Sequence, residues 1–157
     1  MTRRTIQPDF DQLLSVLANR RSSRRVLFEF AIGGHVLSLW TDRERPGPDD
    51  HAGTLRQMPD VIEMGYDAKH SFEDKIFPVE ETYRTWGSSI AILGGIDVDF
   101  LARGSEPDIA ARSRAMLDLA DERGGYALGS GNSIPEYVPA QRFLAMRDVA
   151  IAARVTG

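Results

Sequence analysis

A chain of 157 residues is long enough for one domain with a full core, and its 42% hydrophobic and 27% charged residues are ordinary for a globular protein. Its net charge of −4 argues against a dedicated binder of nucleic acid or anionic membranes, since both need excess basic charge. It has no cysteine, which excludes disulfides, thiolate metal sites and cysteine nucleophiles. No apolar run approaches the roughly 20 residues of a membrane span, and no signal-peptide core is evident, so we expect a cytoplasmic protein.

The first half of the sequence predicts a helix, a strand and a second helix. Residues 10–18, FDQLLSVLA, carry apolar side chains at helical spacing. Residues 26–32, VLFEFAI, are rich in β-forming residues and precede two glycines, which indicates a buried strand. A helix is predicted over about residues 54–63, although Pro59 should kink or shorten it. Residues 65–77 predict a strand only weakly, because they carry many charges.

The strongest strand signal lies in the second half of the chain. Residues 78–86 predict a short helix that ends at Gly87 in the left-handed conformation. Residues 89–95, SIAILGG, are continuously apolar, as strands buried on both faces of a parallel sheet are. A helix is then predicted from about 105 to 123, because Ser105 can cap it and a proline suits its first turn.

Residues 126–130, YALGS, predict the last strand, and residues 139–155 predict the last helix. That helix has four apolar residues at core spacing: Phe143, Met146, Ala150 and Ile151. The alternation of helices and strands predicts an α/β fold with a parallel sheet covered by helices. In such sheets functional groups gather beyond the carboxyl ends of the strands.

Those carboxyl ends combine glycines with polar side chains, and several side chains keep two interpretations. Glu29, inside the first strand, is a candidate acid or base if it points inward with a raised pKa, and an ordinary surface residue otherwise. His35 is either a proton donor or structural. Asp97 either holds a substrate group or caps the next turn. His70 and Glu73 can share a metal ion only if the strand ends between them.

Three passages resemble the uroporphyrinogen decarboxylase family, which includes related corrinoid-dependent methyltransferases. KHSFEDKIFPVEETYRTWG, residues 69–87, is similar to the family's sixth strand and helix. SSIAILGGIDVDFLARGSEPDIAARSRAML, residues 88–117, is similar to the seventh unit, and GGYALGSGNSIPEYVPAQRFLAM, residues 124–146, to the eighth. Residues 13–34 resemble, less specifically, the opening helix and first strand.

The resemblance implies a (β/α)8 TIM barrel, and such barrels typically need about 250 residues. We therefore expect a single domain over residues 1–157, a partial barrel with an internal deletion near residues 67–70. Its strands would correspond to the first and last barrel units, and the first strand would pair with the last, as in a closed barrel. Such a wedge exposes two strand edges, so we expect a homo-oligomer.

The resemblance implies decarboxylation or binding of a tetrapyrrole, or of a related carboxylated substrate of porphyrin metabolism. The family's arginines after the first strand are missing from GGHVLSLW, residues 33–40, and its aspartate-bearing segment falls in the gap. Whether the chain is a carboxy-lyase therefore stays open. The alternatives are a zinc-free relative of the methyltransferases, with a corrinoid protein as partner, and a non-catalytic scaffold. We expect no nucleic-acid or membrane partner and no cofactor.

The candidate site residues follow from the strand ends and the resemblance together. Four are candidates for catalysis: Glu29, His35, His70 and Asp97. Seven are candidates for substrate binding: Gly94, Gly95, Asp99, Gly129, Gly131, Asn132 and Tyr137. Asn132 stands where relatives carry a histidine or a cysteine, and its neutral amide oxygen is a poor zinc ligand. We therefore predict no zinc-thiolate chemistry.

Overall fold

Four short parallel strands, with helices between them, form the centre of the molecule. The computed structural model describes residues 9–17, 28–29 and 58–155. In chain order the elements are α1 (Phe10–Leu17), β1 (Phe28–Glu29), α2 (58–63), β2 (Ala68–Lys69), α3 (Val79–Trp86), β3 (Ala91–Leu93), α4 (Val98–Arg103), α5 (Glu106–Asp121), β4 (Tyr126–Ala127) and α6 (Ala140–Val155). No helix in these described ranges is long and apolar enough to cross a bilayer.

The sheet has the order β1-β2-β3-β4, and every neighbouring pair is parallel. Phe28 is in register with Ala68, and Ala68 with Ala91. Ile92 is in register with Tyr126. Parallel neighbours need a crossover connection, and the helices between the strands supply it. The predicted α/β architecture with a parallel sheet is confirmed.

The neighbour of β1 differs from the expectation. The first strand was expected beside the last, but β1 pairs with β2 at the opposite edge of the sheet from β4. Consecutive units give this order, because each crossover places the next strand beside the one before it. Four consecutive units need no missing strand between β1 and β2. The deletion near residues 67–70 stays a prediction that the strand order does not require.

The helices α2, α3 and α5 bury one face of the sheet in a single apolar cluster. Ile92 of β3, Tyr83 of α3 and Met116 of α5 are each 0% exposed within it. The ring of Tyr126 packs edge-on to that of Tyr83, with 6.0 Å between their centroids. Burying a large apolar side chain stabilises a fold by about 1.5–3 kcal/mol, so this cluster contributes strongly to stability.

The opposite face of the sheet is covered by α1. Leu13 packs against Ala68 and Ala91, whose small side chains let the helix approach the strands closely. The backbone N–H of Asp9 donates to Oδ1 of Asp67 (3.0 Å), which fixes the start of α1 beside the amino end of β2. The predicted helix is confirmed.

Two helix predictions need correction. Gly87 ends α3 with a right-handed φ of −61° instead of the predicted left-handed conformation. A glycine is needed there because a Cβ would lie 2.6 Å from the carbonyl oxygen of Tyr83. In α6, Met146 is buried as predicted, but Ile151 is 50% exposed and Val149, three residues after Met146, takes the buried position.

Candidate functional site

The loops that follow β2, β3 and β4 are joined by backbone hydrogen bonds at the carboxyl edge of the sheet. Ile96 and Ser130 form a parallel bridge beyond β3 and β4. The N–H of Gly131 donates to the carbonyl of Ile96 (2.7 Å), and the N–H of Phe72 donates to the carbonyl of Gly131 (3.1 Å). The three strand ends therefore form one continuous surface, as the parallel sheet predicted.

The glycines at these ends allow the loops to approach one another. Gly94 has a φ of 72°, and a Cβ there would collide with the carbonyl oxygen of Ser130. A Cβ at Gly131 would collide with the carbonyl oxygen of Phe72. The structure thus gives Gly94 and Gly131 a packing role. Substrate contact by them, and by Gly95 and Gly129, stays a prediction.

His70 is held against the loop after β4. Its Nε2 lies 3.1 Å from the carbonyl oxygen of Ser130. A carbonyl only accepts, so Nε2 carries the proton and Nδ1 is the basic nitrogen of the ring. Burial lowers the pKa of His70, and the nearby charge of Lys69 acts in the same direction, against the hydrogen bond to Ser130. His70 is therefore neutral near pH 7 and clamps two loops together.

Lys69 is a titratable group at this edge that sequence reasoning missed. Its Nζ donates to the carbonyl oxygens of His70 and Ser71, the second at 3.0 Å, and lies 5.1 Å from the ring centroid of Phe72. Ser71 has a left-handed φ of 75°, an uncommon conformation for serine. Burial lowers the pKa of Lys69 to about 8. In the sequence, the only indication of this group was a lysine within the weakly predicted strand over residues 65–77.

Asp97 binds two backbone amides with its two carboxylate oxygens. Oδ1 accepts from the N–H of Phe100 (3.0 Å) and so caps α4. Oδ2 accepts from the N–H of Asp74 (2.9 Å), in the loop after β2. Of the two roles left open for Asp97, the structure shows the cap, and the side chain is 8% exposed. A catalytic role would compete with both hydrogen bonds.

Arg112 of α5 makes a double ion pair beside this loop. Its guanidinium bonds both oxygens of Asp74 (2.6 and 2.8 Å) and both of Glu80 (2.7 and 3.0 Å), and it stacks 5.1 Å from the ring centroid of Phe100. Burial alone would lower the pKa of Arg112, but the bonds to Asp74 and Glu80 raise it. No local pattern predicted this cluster, because its members are 32 and 38 residues apart in sequence.

A groove of about 390 Å³ opens between the loops that follow the three strands. Its polar and aromatic lining includes Phe72, Glu73, Lys75, Asp97, Asp99, Asn132 and Tyr137. Tyr137 is 70% exposed at its rim, and the Oδ1 of Asn132 accepts from the N–H of Ser133 (2.8 Å). A second groove of about 380 Å³ shares Lys75, Asp97 and Asp99 and adds Arg103, whose Nε lies 2.8 Å from Oδ1 of Asp99.

The structure brings together four of the predicted site residues and leaves others apart. Asp97, Asp99, Asn132 and Tyr137 line the same groove, whereas His70 is not among its lining residues. Glu29 lies in β1, in register with Lys69, and its side chain is outside the described residues. His35 also lies outside them.

The described residues offer no cluster of metal ligands. Across residues 9–17, 28–29 and 58–155, no group of three or more His, Cys, Asp or Glu side chains is placed to hold a metal ion. Zinc held by a thiolate does not fit this chain, because it has no cysteine and the amide of Asn132 is bonded to its own loop. That His70 and Glu73 share a metal ion stays an untested hypothesis.

A family profile described as uroporphyrinogen decarboxylase (URO-D) matches residues 50–152, which is more than half of the chain. The chain belongs to the uroporphyrinogen decarboxylase family. This confirms the resemblance carried by residues 69–87, 88–117 and 124–146. The match includes α3 to α5, β2 to β4 and most of α6, and therefore every residue that lines the groove.

Among solved structures, this family member is similar to a methyltransferase from Methanosarcina mazei, with a TM-score of 0.52 and 17% sequence identity. The similarity covers 64% of this chain and 28% of that one, so the chain spans well under half of the solved protein. At this identity the likeness supports the fold alone. A search of curated proteins gave no match.

Proposed function

We propose that this family member binds a small molecule in the groove at the carboxyl ends of β2, β3 and β4. One observation carries the proposal: three loops, joined by backbone bonds and by Asp97, enclose about 390 Å³ on the functional side of a parallel sheet. Concave sites with apolar walls and a few polar groups are the usual form of ligand pockets. Family membership makes a tetrapyrrole, or a related carboxylated molecule, the first ligand to test.

The lining of the groove supports a flat ligand with polar groups at its edge. The ring of Tyr137, which is 70% exposed at the rim, offers a surface for an aromatic ring system. The Nζ of Lys75 offers a partner for a carboxylate, and Asn132 offers an amide. Binding is the core of the proposal, and decarboxylation is its extension. Asp97 is occupied by two amides and His70 lies outside the groove, so we expect binding to exceed turnover.

The fold that holds this groove is proposed to be part of a barrel. Its strands follow the consecutive order of barrel units, and the chain belongs to the family whose resemblance implied a (β/α)8 barrel. A sheet of four strands leaves two edges to be covered, which supports the predicted homo-oligomer.

Titration of coproporphyrin into the purified protein, followed by absorbance and by quenching of tryptophan fluorescence, tests the proposal. We expect saturable binding that Tyr137→Ala weakens several-fold, whereas Arg114→Ala, an exposed change on α5, leaves it unchanged. Lys75→Ala should weaken binding of the free acid more than binding of the methyl ester. Unsaturable binding, or equal effects of Tyr137→Ala and Arg114→Ala, would contradict the site.

The charges of the groove favour one second candidate. Glu73, Asp97 and Asp99 line it against one basic side chain, Lys75, which suits a polycarboxylate less well than a neutral or cationic ligand. A zinc-free relative of the methyltransferases, working with a corrinoid protein, would take a methylated donor as such a ligand. Methyl transfer to added cob(I)alamin from a panel of methylated donors tests it, and no transfer from any donor would rule against it.

A further inference from the structure

Strand β4 presents hydrogen-bonding groups on the side away from β3. The carbonyls of Gly125, Ala127 and Gly129 accept from β3 and the residues after it, through the N–H groups of Ile92, Gly94 and Ile96. Alternate residues of a strand bond to opposite neighbours. Tyr126 and Leu128 therefore direct their backbone N–H and C=O groups to the other side, where the described part of the chain has no strand.

Coverage of the sheet face opposite the large helices decreases towards the same edge. Register places Ala68 and Ala91 on this face, and both are buried under α1. Leu93, on the same face, is half-buried, and its register partner Ala127 in β4 is exposed. The small apolar side chain of Ala127 thus lies in solvent at an edge with unpaired backbone groups, a combination that proteins normally cover.

The two edges of the sheet are complementary to each other. All four strands are parallel and follow in consecutive order, with β1 at one edge and β4 at the other. Two copies can be related by a rotation of 180° about the barrel axis, which runs along the strands. The β4 edge of one copy then lies beside the β1 edge of the other, and the two strands are parallel. The same rotation brings the second pair of edges together, so the contact closes. Two copies then have eight parallel strands, the number in a closed (β/α)8 barrel.

We propose that this chain forms a twofold dimer in which β4 of each copy pairs with β1 of the other to close an eight-stranded barrel. The inference rests on the proposed partial barrel and names the partner as a second copy of this chain. A second copy is the favoured occupant because this chain itself carries the parallel edge that β4 requires, in the form of β1.

The oligomeric state is tested by light scattering coupled to size-exclusion chromatography. We expect twice the 17.4 kDa mass of the chain, and a melting temperature that rises with protein concentration. Ala127→Glu, which places a charge on the exposed edge, should give a folded species of half that mass with an unchanged far-ultraviolet circular dichroism spectrum. Ala115→Glu, an equally exposed change on α5, should remain a dimer.

Cross-linking tests which edges meet. Because the chain has no native cysteine, only the introduced cysteines can react. Differently tagged Phe28→Cys and Ala127→Cys chains are mixed and treated with a short bismaleimide. We expect a heterodimeric product, and none when Ala115→Cys replaces Ala127→Cys. A stable, compact monomer, a larger assembly, or equal cross-linking of the control would overturn the dimer. Porphyrin binding by a monomer would leave the proposed function standing, whereas a dimer without binding would remove only that function.

Discussion

The two faces of the sheet are covered to different degrees. On one face, α2, α3 and α5 bury Ile92, Tyr83 and Met116 completely. On the other, the eight-residue helix α1 covers β2 and β3, while Ala127 in β4 stays exposed. The first face is an ordinary α/β layer that this chain completes by itself. The second face is covered by one short helix over β2 and β3 and is open at β4.

The largest effect should separate the two faces. Ile92→Ala removes a fully buried side chain from the helix-covered face and should lower the free energy of unfolding by about 3–4 kcal/mol. Leu13→Ala on the opposite face should cost about 2 kcal/mol, because α1 can shift to fill the space. Urea denaturation measures both. A larger loss from Leu13→Ala would show that α1 carries as much of the core as the long helices do.

Arg112 joins α5 to the loop at the carboxyl ends, and its loss should rank second. Arg112→Leu leaves Asp74 and Glu80 unpaired and should cost about 2 kcal/mol, below the value for a fully buried pair because all three keep some exposure. Arg112→Lys keeps the charge without the paired bonds and should recover less than half of the loss. Full recovery by lysine would contradict the importance of the bidentate geometry.

The same pair predicts a pH dependence. Burial raises the pKa of Glu80, but the hydrogen bond and charge of Arg112 outweigh it and leave the pKa below its ordinary value. A lowered pKa in the folded state contributes stability above the unfolded value of about 4.3, and this is lost as the pH falls through the folded pKa. Stability should therefore drop more steeply in this acidic range in the native protein than in Arg112→Leu.

Lys69 should give a second increase of stability with pH, in the alkaline range. Its folded pKa of about 8 lies below the unfolded value of about 10.4, so the unfolded chain holds the extra proton between these limits. Stability should therefore rise by about 1–2 kcal/mol as the pH goes from 8 to 10. In Lys69→Met this rise should disappear. Denaturation at a series of pH values measures it, and an unchanged rise in Lys69→Met would assign it to other groups.

The smallest predicted difference lies between two neighbouring aspartates at the groove. Asp97→Ala loses the cap of α4 and the bond to the N–H of Asp74, and should cost about 1–2 kcal/mol. Asp99→Ala loses only an exposed ion pair with Arg103 and should cost at most about 0.5 kcal/mol. Thermal melts of the two variants compare them directly. Equal losses would mean that Asp97 does not link the two loops.

The sequence indicated the edge of the sheet where the proposed site lies, but it did not indicate which side chains contact one another there. The rule that parallel strands gather function at their carboxyl ends grouped Asp97, Asp99, Asn132 and Tyr137, and these four residues line one groove in the structure. It also drew in His70, which the structure turns away from the groove towards Ser130. A strand end specifies an edge of the sheet, whereas the direction of a side chain depends on which loop packs against it.

What the sequence by itself determined are the features that local chemistry specifies. Ser105 caps α5 where its hydroxyl can reach the N–H of Asp108. The strand β3 (Ala91–Leu93) lies within the continuous apolar run 89–95, as expected of a strand buried on both faces. The family, too, was readable from three local passages.

Only the tertiary structure decided that β1 lies beside β2, and that Arg112 joins Asp74 to Glu80. Each of these is a contact between segments distant in the chain or between surfaces in three dimensions. No short-range pattern of residues encodes such a contact, because its energy exists only once the elements are packed together.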